Sequence, residues 1–352
     1  MAERNSSPYD QLCIAGTLTT LTQIAKRESS VRTQSGLLAI NHGTPEGIQS
    51  AAELAPLIGK SPEWICQNAG VEKRRTSELN DDPAELAAAI ARPLIDKHGL
   101  PDLVLYAGAM QRQLIPDSSI FVSKALGLDG IPGFTVNATC LSFLTAMQTA
   151  FSLVDAGSYK RVLICTAEFG TRGRNFSEPE SAALIGDAGA AAIIENSPTS
   201  HRFVDFSIES WPAAAEYSEV RGGGVMKPPW APTTEAGDNL FHMNGEALLR
   251  FTLPKFFRFL KNFLNQNQLS PEDIAVVVPH QTSASGMRVL EKFGFKKNQV
   301  VDILNEYGNC VAASIPLALS IAHHEGRIQP GDFVLLLGTA AGLSIGAALL
   351  EW

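Results

Sequence analysis

The segment GFTVNATCLSFLTAMQTAFSLVDAGSYKRVLICTAE, residues 133–168, decides the fold class. It begins with a short apolar run, continues with apolar residues at helical spacing, and ends with a second apolar run, RVLICTAE. Strands buried on both faces of a sheet are apolar throughout, and a helix between two such strands is typical of a parallel crossover. The segment therefore predicts a β-α-β unit within a layered α/β protein.

Further apolar runs of this kind lie on both sides of the unit. They are LVLYAGA (103–109), GAAAIIE (189–195), IAVVVPH (274–280), QVVDIL (299–304), FVLLLGTA (333–340) and GAALLEW (346–352). Each part of the chain contains four such runs in the same order. The first is an apolar strand, the second leads into a helix, the third ends in small residues, and the fourth begins Gly-Ala-Ala. The order predicts a duplicated half-domain, although buried parallel strands also resemble one another without duplication.

The chain divides on this interpretation into three regions. Residues 1–35 form a polar extension with one possible strand at 12–21, residues 36–200 form a first half, and residues 201–352 form a second half. A Pro/Gly-rich stretch at about 209–240 predicts a surface loop long enough to cover a pocket.

Composition excludes several classes of protein. The chain has 352 residues, of which 45% are hydrophobic and 18% charged, so it is typical of a globular protein. A net charge of -8 without a long basic run argues against nucleic-acid binding. No apolar run approaches the roughly 18 residues of a membrane span and no signal peptide is evident, so we expect a cytoplasmic protein. The five cysteines are widely spaced, which argues against a disulfide framework or a zinc site.

Three polar residues follow predicted strands where a helix or loop begins. Cys140 precedes a helix, whose dipole favours a thiolate; His280 ends the run 274–280; and Asn309 lies in a turn after the run 299–304. Taken singly, they also fit a small buried residue, a strand end and a turn residue. Because the carboxyl ends of parallel strands meet at one edge of a sheet, the three groups are expected to converge. A thiol and an imidazole supply a nucleophile and a proton carrier, and a carboxamide can donate to an oxyanion.

The Gly-rich run GTAAGLSIG (338–346) offers backbone N–H groups for a second oxyanion site, or forms a hairpin packed with small residues. No motif with metal-ligand spacing is present in the sequence.

These segments resemble the β-ketoacyl-acyl-carrier-protein synthase III family of the thiolase superfamily. The matching segments are PEWICQNAGVEKRR (62–75), VNATCLSF (136–143), LIGDAGAAAI (184–193), HMNGEALLRF (242–251), VPHQTSASG (278–286), NEYGNCVAASIPLAL (305–319) and GRIQPGDFVLLLGTAAGLSIGAALLEW (326–352). The resemblance extends from about residue 36 to residue 352. It implies an α/β, thiolase-like fold with a duplicated βαβαβαββ unit in five layers, αβαβα.

The resemblance also implies roles for the three polar residues. Cys140 matches the acylated nucleophile, while His280 and Asn309 match the pair that promotes decarboxylation of a malonyl thioester. The backbone N–H groups of Cys140 and Ala341 would hold the oxyanion. The implied product is a 3-ketoacyl thioester for fatty acid biosynthesis or for a specialised metabolite such as a polyketide starter. Two alternatives stay open: an acyltransferase of the same fold that does not decarboxylate, and an inactive partner subunit of a ketosynthase.

The remaining implications concern substrates and partners. The resemblance implies acyl carrier protein as a partner, a coenzyme A or phosphopantetheine thioester as acyl donor, a homodimer, and no metal or redox cofactor. It places five residues in the substrate-binding region: Trp64, Ile115, Asn244, Thr339 and Gly342. A basic helix face for the carrier protein, or alternatively a merely solvated face, consists of Arg250, Lys255, Arg258 and Lys261.

The sequence departs from the family pattern near the nucleotide of coenzyme A. Pro179 and Asn68 stand where the family has arginines, which puts the usual acyl-CoA priming in doubt unless Arg172 or Arg174 replaces them.

Overall fold

The structure of the protein, a computed structural model, describes residues 35–352. The possible strand at 12–21 and all of the extension but Ser35 lie outside the described residues. Within the described part, no helix combines the length and the apolar character needed to span a bilayer.

The first half alternates strands and helices. Its strands are β1 (Gly36–Gly43), β2 (Gly47–Ser50), β3 (Lys73–Thr76), β4 (Leu103–Ala107), β5 (Gly133–Val136), β6 (Arg161–Phe169) and β7 (Asp187–Glu195). Its helices are α1 (Ala51–Ile58), α2 (Pro62–Asn68), α3 (Pro83–His98), α4 (Ser118–Leu126), α5 (Ser142–Asp155) and α6 (Pro179–Ala182).

The second half follows a similar plan. Its strands are β8 (His201–Ser210), β9 (Ser218–Glu219), β10 (His242–Met243), β11 (Val276–Pro279), β12 (Phe333–Ala340) and β13 (Ser344–Glu351). Its helices are α7 (Gly245–Gln266), α8 (Ala284–Phe293), α9 (Leu304–Tyr307) and α10 (Ser314–His324).

The main strands form one sheet in the order β11-β12-β13-β8-β1-β7-β6-β4-β5. Strands β8 and β1 meet only at their ends, so the sheet consists of two parts joined by a short junction. In the first part β4 is parallel to β5 and β6, whereas β7 is antiparallel to β6 and β1. In the second part β11 is parallel to β12, and β13 is antiparallel to β12 and β8. This repeat confirms the predicted duplication and supports, as a proposal, a boundary near residue 200.

The prediction of a strand at residues 299–304 is wrong. This run makes one isolated parallel bridge to β11, at Val300, in the place that β5 occupies in the first part. The side chain of Gln281 replaces a strand partner: its Nε2 donates to the carbonyl of Val301 (3.0 Å), and its Oε1 accepts from the N–H of Ile303 (3.0 Å). Because a side-chain amide satisfies this backbone, the run does not need a regular ladder.

The layers follow from where each element buries its apolar face. Helices α5 and α10 share one hydrophobic cluster with strands of both parts of the sheet, so they form the central layer. Helices α3 and α4 cover the outer face of the first part, and α7 and α8 cover that of the second. The predicted five-layer αβαβα arrangement is confirmed.

Leu141 fastens the first half to the second. It directly precedes α5, and its buried side chain lies over Gly338 and Gly346, which pair across β12 and β13. A Cβ on Gly338 would come within 2.9 Å of Leu141 Cδ2 and 3.1 Å of His280 Cβ, and one on Gly346 within 3.1 Å of Leu141 Cδ1. Because Gly338 and Gly346 lack side chains, there is room for Leu141 to pack against both strands at the start of α5.

Replacing Gly338 by alanine should destabilise the protein. The added methyl group meets packed side chains that have no free space, and overpacking of this kind costs about 1–3 kcal/mol. Urea unfolding measures the change. Gly224→Ala is the control, since its Cβ would meet nothing within 4 Å. An equal free energy of unfolding for both variants would contradict this packing.

Candidate active site

A cavity of about 540 Å³ contains the three polar groups singled out above. Cys140, His280 and Asn309 all line it, together with residues of both halves. The two copies of the repeat therefore face one shared space.

Cys140 stands on a tight turn between β5 and α5. Thr139 has a positive φ of 50°, and Ser142 closes the turn: its Oγ accepts from the N–H of Ala138 (3.0 Å) and donates to the carbonyl of Thr139 (2.6 Å). The backbone N–H groups of Ala341 and of Cys140 itself approach the sulfur. Two backbone donors therefore lie close to the reactive sulfur, within reach of the oxygen of an acyl group bonded to it.

The thiol of Cys140 is neutral in the resting site. Its pKa is raised to about 12: burial is the largest cause, the nearby Glu168 acts in the same direction, and the two backbone N–H groups act against them. Desolvation of the sulfur therefore opposes the thiolate that the helix dipole was expected to favour.

His280 follows β11 and is also neutral. It is 4% exposed, and its backbone N–H donates to the carbonyl of Leu337 on β12 at 2.7 Å. Burial lowers the pKa of its imidazole to about 4. Nδ1 is buried and finds no hydrogen-bond partner among residues 35–352, so Nε2 is the nitrogen available to a ligand.

Asn309 is held by its backbone and its side chain together. Its N–H donates to the carbonyl of Leu184 (2.8 Å), and its carbonyl accepts from the N–H of Gly186 (3.0 Å). Its Oδ1 accepts from the N–H of Val311 (2.9 Å). With Oδ1 engaged, the Nδ2 amide group is left to donate to a ligand.

The turns that carry Cys140 and Asn309 are copies of each other. In the first turn, Asn137 Oδ1 accepts from the N–H group two residues further along the chain (3.0 Å), and in the second turn Asn309 Oδ1 does the same. Ser314 closes the second turn as Ser142 closes the first, by accepting from a backbone N–H group. The third residue has φ 50° in both. Cys140 corresponds to Ala312 in this alignment, so one copy supplies the thiol and the other the carboxamide.

Glu168 is a residue that the sequence did not single out. It is fully buried at the end of β6, and its carboxylate accepts from the N–H groups of Ala109 (2.6 Å) and Met110 (3.1 Å). Burial raises its pKa to about 8, and its charge raises that of Cys140. The only indication of Glu168 in the sequence was its position as a single acidic residue at the end of the apolar run RVLICTAE.

The predicted substrate-binding residues fall into two groups. Trp64 and Thr339, like Ala341, line the cavity. Asn244 caps α7 by accepting from Ala247 N–H, and Gly342 forms the turn after β12 with φ 85°; both adjoin the lining without being part of it. Ile115 is 83% exposed and lies outside the lining of this cavity.

The cations predicted near the cavity are largely engaged elsewhere. Arg172 donates to the carbonyls of Glu78 and Asp81, and Arg174 to Gln49. The cavity lining within residues 35–352 contains no lysine or arginine. Neither Arg172 nor Arg174 is part of this lining.

The predicted basic face of α7 is only partly open to solvent. Arg250 pairs with Glu246 at 2.7 Å and Arg258 approaches Glu209 at 3.4 Å, and both arginines are exposed. Lys261 is exposed too, whereas Lys255 is half-buried over the ring of Phe251. The exposed face thus consists of three of the four predicted residues.

The described residues contain no cluster of side chains suited to a metal ion.

Comparisons with known proteins agree on one family. Two family models match: 3-oxoacyl-[acyl-carrier-protein] synthase III over residues 134–212, and its C-terminal domain over residues 264–352. The chain is 31% identical to β-ketoacyl-[acyl-carrier-protein] synthase III of Rickettsia felis over 316 residues, which cover 88% of this chain and 96% of that protein.

Solved structures show the same fold. The Thermus thermophilus β-ketoacyl-[acyl-carrier-protein] synthase III is 29% identical with a TM-score of 0.81, and the alignment covers 90% of this chain and 99% of that one. The priming β-ketosynthase of the R1128 polyketide pathway is 23% identical with a TM-score of 0.81, over 91% of this chain and 96% of that one, and shows the fold alone.

Replacing Glu168 by glutamine should make Cys140 more reactive above about pH 8. Glu168 ionises near that pH, and its negative charge opposes formation of the Cys140 thiolate. This repulsion increases as more of Glu168 becomes ionised, and the glutamine variant lacks it. Iodoacetamide alkylation of Cys140, followed by peptide mass spectrometry, measures the rate. We expect similar rates at pH 7 and a faster variant at pH 9. Parallel pH profiles would contradict the coupling.

Proposed function

Since the chain belongs to the β-ketoacyl-[acyl-carrier-protein] synthase III family, we propose that Cys140, His280 and Asn309 carry out its acyltransferase reaction on thioesters. The observation that supports these roles most strongly is that all three side chains line one cavity. Both steps of a ketosynthase reaction require the same small space, because the acyl group accepted in the first step is attacked in the second.

In the first step, an acyl thioester enters the cavity and Cys140 is acylated. The sulfur attacks the thioester carbonyl, and its proton passes to the departing thiolate. The bond to the donor sulfur breaks as the bond to Cys140 forms. The N–H groups of Cys140 and Ala341 stabilise the tetrahedral oxyanion.

In the second step, a malonyl thioester binds beside the acylated cysteine. Its carbon–carboxylate bond breaks, CO2 leaves, and the electron pair becomes an enolate. His280 Nε2 and Asn309 Nδ2 donate hydrogen bonds to the thioester oxygen where this charge develops. The enolate carbon then attacks the acyl group, the bond to Cys140 breaks, and a 3-ketoacyl thioester is released. The departing Cys140 sulfur takes up one proton from water, which restores the neutral thiol. These bonds balance without a metal or a redox cofactor.

Two further functions were open from the sequence. An acyltransferase that does not decarboxylate would need the thiol and the imidazole, but the fixed carboxamide of Asn309 has a task only when an enolate forms. An inactive partner subunit would need none of the three groups. The retained set therefore favours the condensing enzyme, in fatty acid or specialised-metabolite biosynthesis.

The donor is a thioester of coenzyme A or of acyl carrier protein. Trp64 lines the cavity and offers a ring face, but the lining lacks a cation that would bind the phosphates of the nucleotide. Exposed Arg250, Arg258 and Lys261 lie outside the cavity, and although Glu246 and Glu209 pair with the two arginines, their guanidinium groups and the Lys261 ammonium can exchange these partners for the carboxylates of an acidic carrier protein. The malonyl group is proposed to arrive on that carrier.

We also propose a homodimer through the free edge of β5. This strand ends the sheet, and apolar side chains are exposed on and near it: Phe134 by 42%, Ile120 by 46%, Leu114 by 69% and Ile115 by 83%. An unpaired edge with exposed apolar residues is typical of an interface. In such a dimer, Ile115 would lie near the interface.

Three single variants should separate the two steps. With a panel of acyl donors, intact-protein mass spectrometry should show an acyl adduct that Cys140→Ala abolishes. His280→Ala and Asn309→Ala should still acquire the adduct, but condensation with malonyl-carrier protein should fall by about 10² or more, because each removes a donor to the enolate.

The outcomes separate the candidate functions. An adduct without condensation in the unmodified protein would favour the non-decarboxylating acyltransferase. No adduct with any donor would favour the inactive subunit. Equal loss of both steps in Asn309→Ala would contradict its assigned role.

Phe134→Arg should convert the dimer to monomers. A charge in the apolar edge would lose its hydration on association, and light scattering coupled to gel filtration measures the mass. Leu57→Arg, on an exposed position of α1 that is 53% accessible, should leave the mass unchanged. A monomeric unmodified protein would contradict the dimer.

A further inference from the structure

Arg74 on β3 is buried without an acidic partner. Its side chain is 0% exposed, and it forms no ion pair with a carboxylate of residues 35–352. Nε and Nη2 find no hydrogen-bond partner there either. Burial lowers its pKa to about 10, so the guanidinium still carries its charge at neutral pH. A buried charge without a counter-ion is unfavourable, so its presence calls for a specific task.

The guanidinium collects backbone carbonyls beside the cavity. Nη1 donates to the carbonyl of Ala183 at 2.6 Å and approaches those of Ala182 and Ile185 at 3.4 Å each. These carbonyls lie at and just beyond the end of α6, where a helix leaves its last carbonyls without partners. Arg74 therefore fixes the backbone of residues 182–185.

Residues 184–186 of this segment also contact Asn309. Leu184 and Gly186 make the two backbone hydrogen bonds to Asn309 described above. A Cβ on Gly186 would lie 2.0 Å from the carbonyl oxygen of Tyr307, and one on Gly308 would lie 2.4 Å from that of Leu184. The two backbones are in such close contact that residues 184–186 cannot shift without moving Asn309.

We propose that Arg74 is a positioning residue for the decarboxylation step, acting through residues 182–186 on the carboxamide of Asn309. This inference rests on the role of Asn309 under the proposed function. The thiol stands on a different support: Cys140 is held by the turn before α5, and the donor at Ala341 lies after β12. Neither turn receives a hydrogen bond from Arg74. Acylation therefore depends on Arg74 less than condensation does.

The test compares Arg74→Lys and Arg74→Gln with the unmodified protein. A lysine keeps the charge but can serve only part of the carbonyl set, and a glutamine loses the charge. We expect acylation of Cys140 within about twofold of normal in both. Because a displacement of about 1 Å costs about 10² in rate, condensation should fall about tenfold in the lysine variant and further in the glutamine variant.

Arg92→Lys is the matched control. Arg92 also donates from its guanidinium to carbonyls near a helix end, those of Ala125 and Leu126, but α4 supplies no residue to the cavity lining. Both steps should be unchanged in this variant.

A double variant separates positioning from general destabilisation. In an Asn309→Ala background, Arg74→Lys should cause no further loss of condensation, because its effect passes through the missing carboxamide. Additive losses, or an equal fall in acylation and condensation, would overturn the inference. A failure of the proposed function is recognised separately, since the unmodified protein would then form no adduct or no condensation product.

Discussion

The backbone bridge between Ile185 and Asn309 joins the two halves of the repeat at the wall of the cavity. Both residues lie in segments without room for a side chain at the neighbouring glycines, so the contact fixes one half against the other. Leu141, lying over Gly338 and Gly346, fastens the halves a second time. The site exists because these contacts hold the thiol from one copy and the carboxamide from the other in one space.

The electrostatics of this space suit a reaction in which charge appears only transiently. Burial raises the pKa of Cys140 and lowers that of His280, so both groups are neutral at rest. A stable thiolate or imidazolium in such a site would be unfavourable. In the proposed mechanism, the backbone N–H groups and the Asn309 amide are the dipoles that stabilise the oxyanion and the enolate, and because the fold holds them in place little reorganisation is needed.

The sequence revealed the parts of the fold and site that depend on local patterns. Cys140 and His280 follow apolar runs that are strands, which the sequence showed, but these strands, β5 and β11, lie at opposite ends of the sheet order. The two groups meet because both parts of the sheet pack on the shared central helices, and this packing is not visible in a local pattern. The prediction of a strand at residues 299–304 was wrong because the side chain of Gln281 supplies the hydrogen bonds of a strand partner. No pattern in the sequence indicates this role of Gln281. Glu168 and Arg74 were missed because their importance comes from burial, which a single charged letter does not show. The effect of burial on the pKa of Cys140 was missed for the same reason, since the desolvation of its sulfur depends on the whole fold.

The most direct measurement is a crystal structure of the protein acylated on Cys140 with a malonyl-thioester analogue that cannot lose CO2. The acyl oxygen should lie about 3 Å from the N–H groups of Cys140 and Ala341, and the thioester oxygen of the analogue about 3 Å from His280 Nε2 and Asn309 Nδ2. An analogue bound in the cavity with its oxygen beyond hydrogen-bond distance of both side chains would contradict the account.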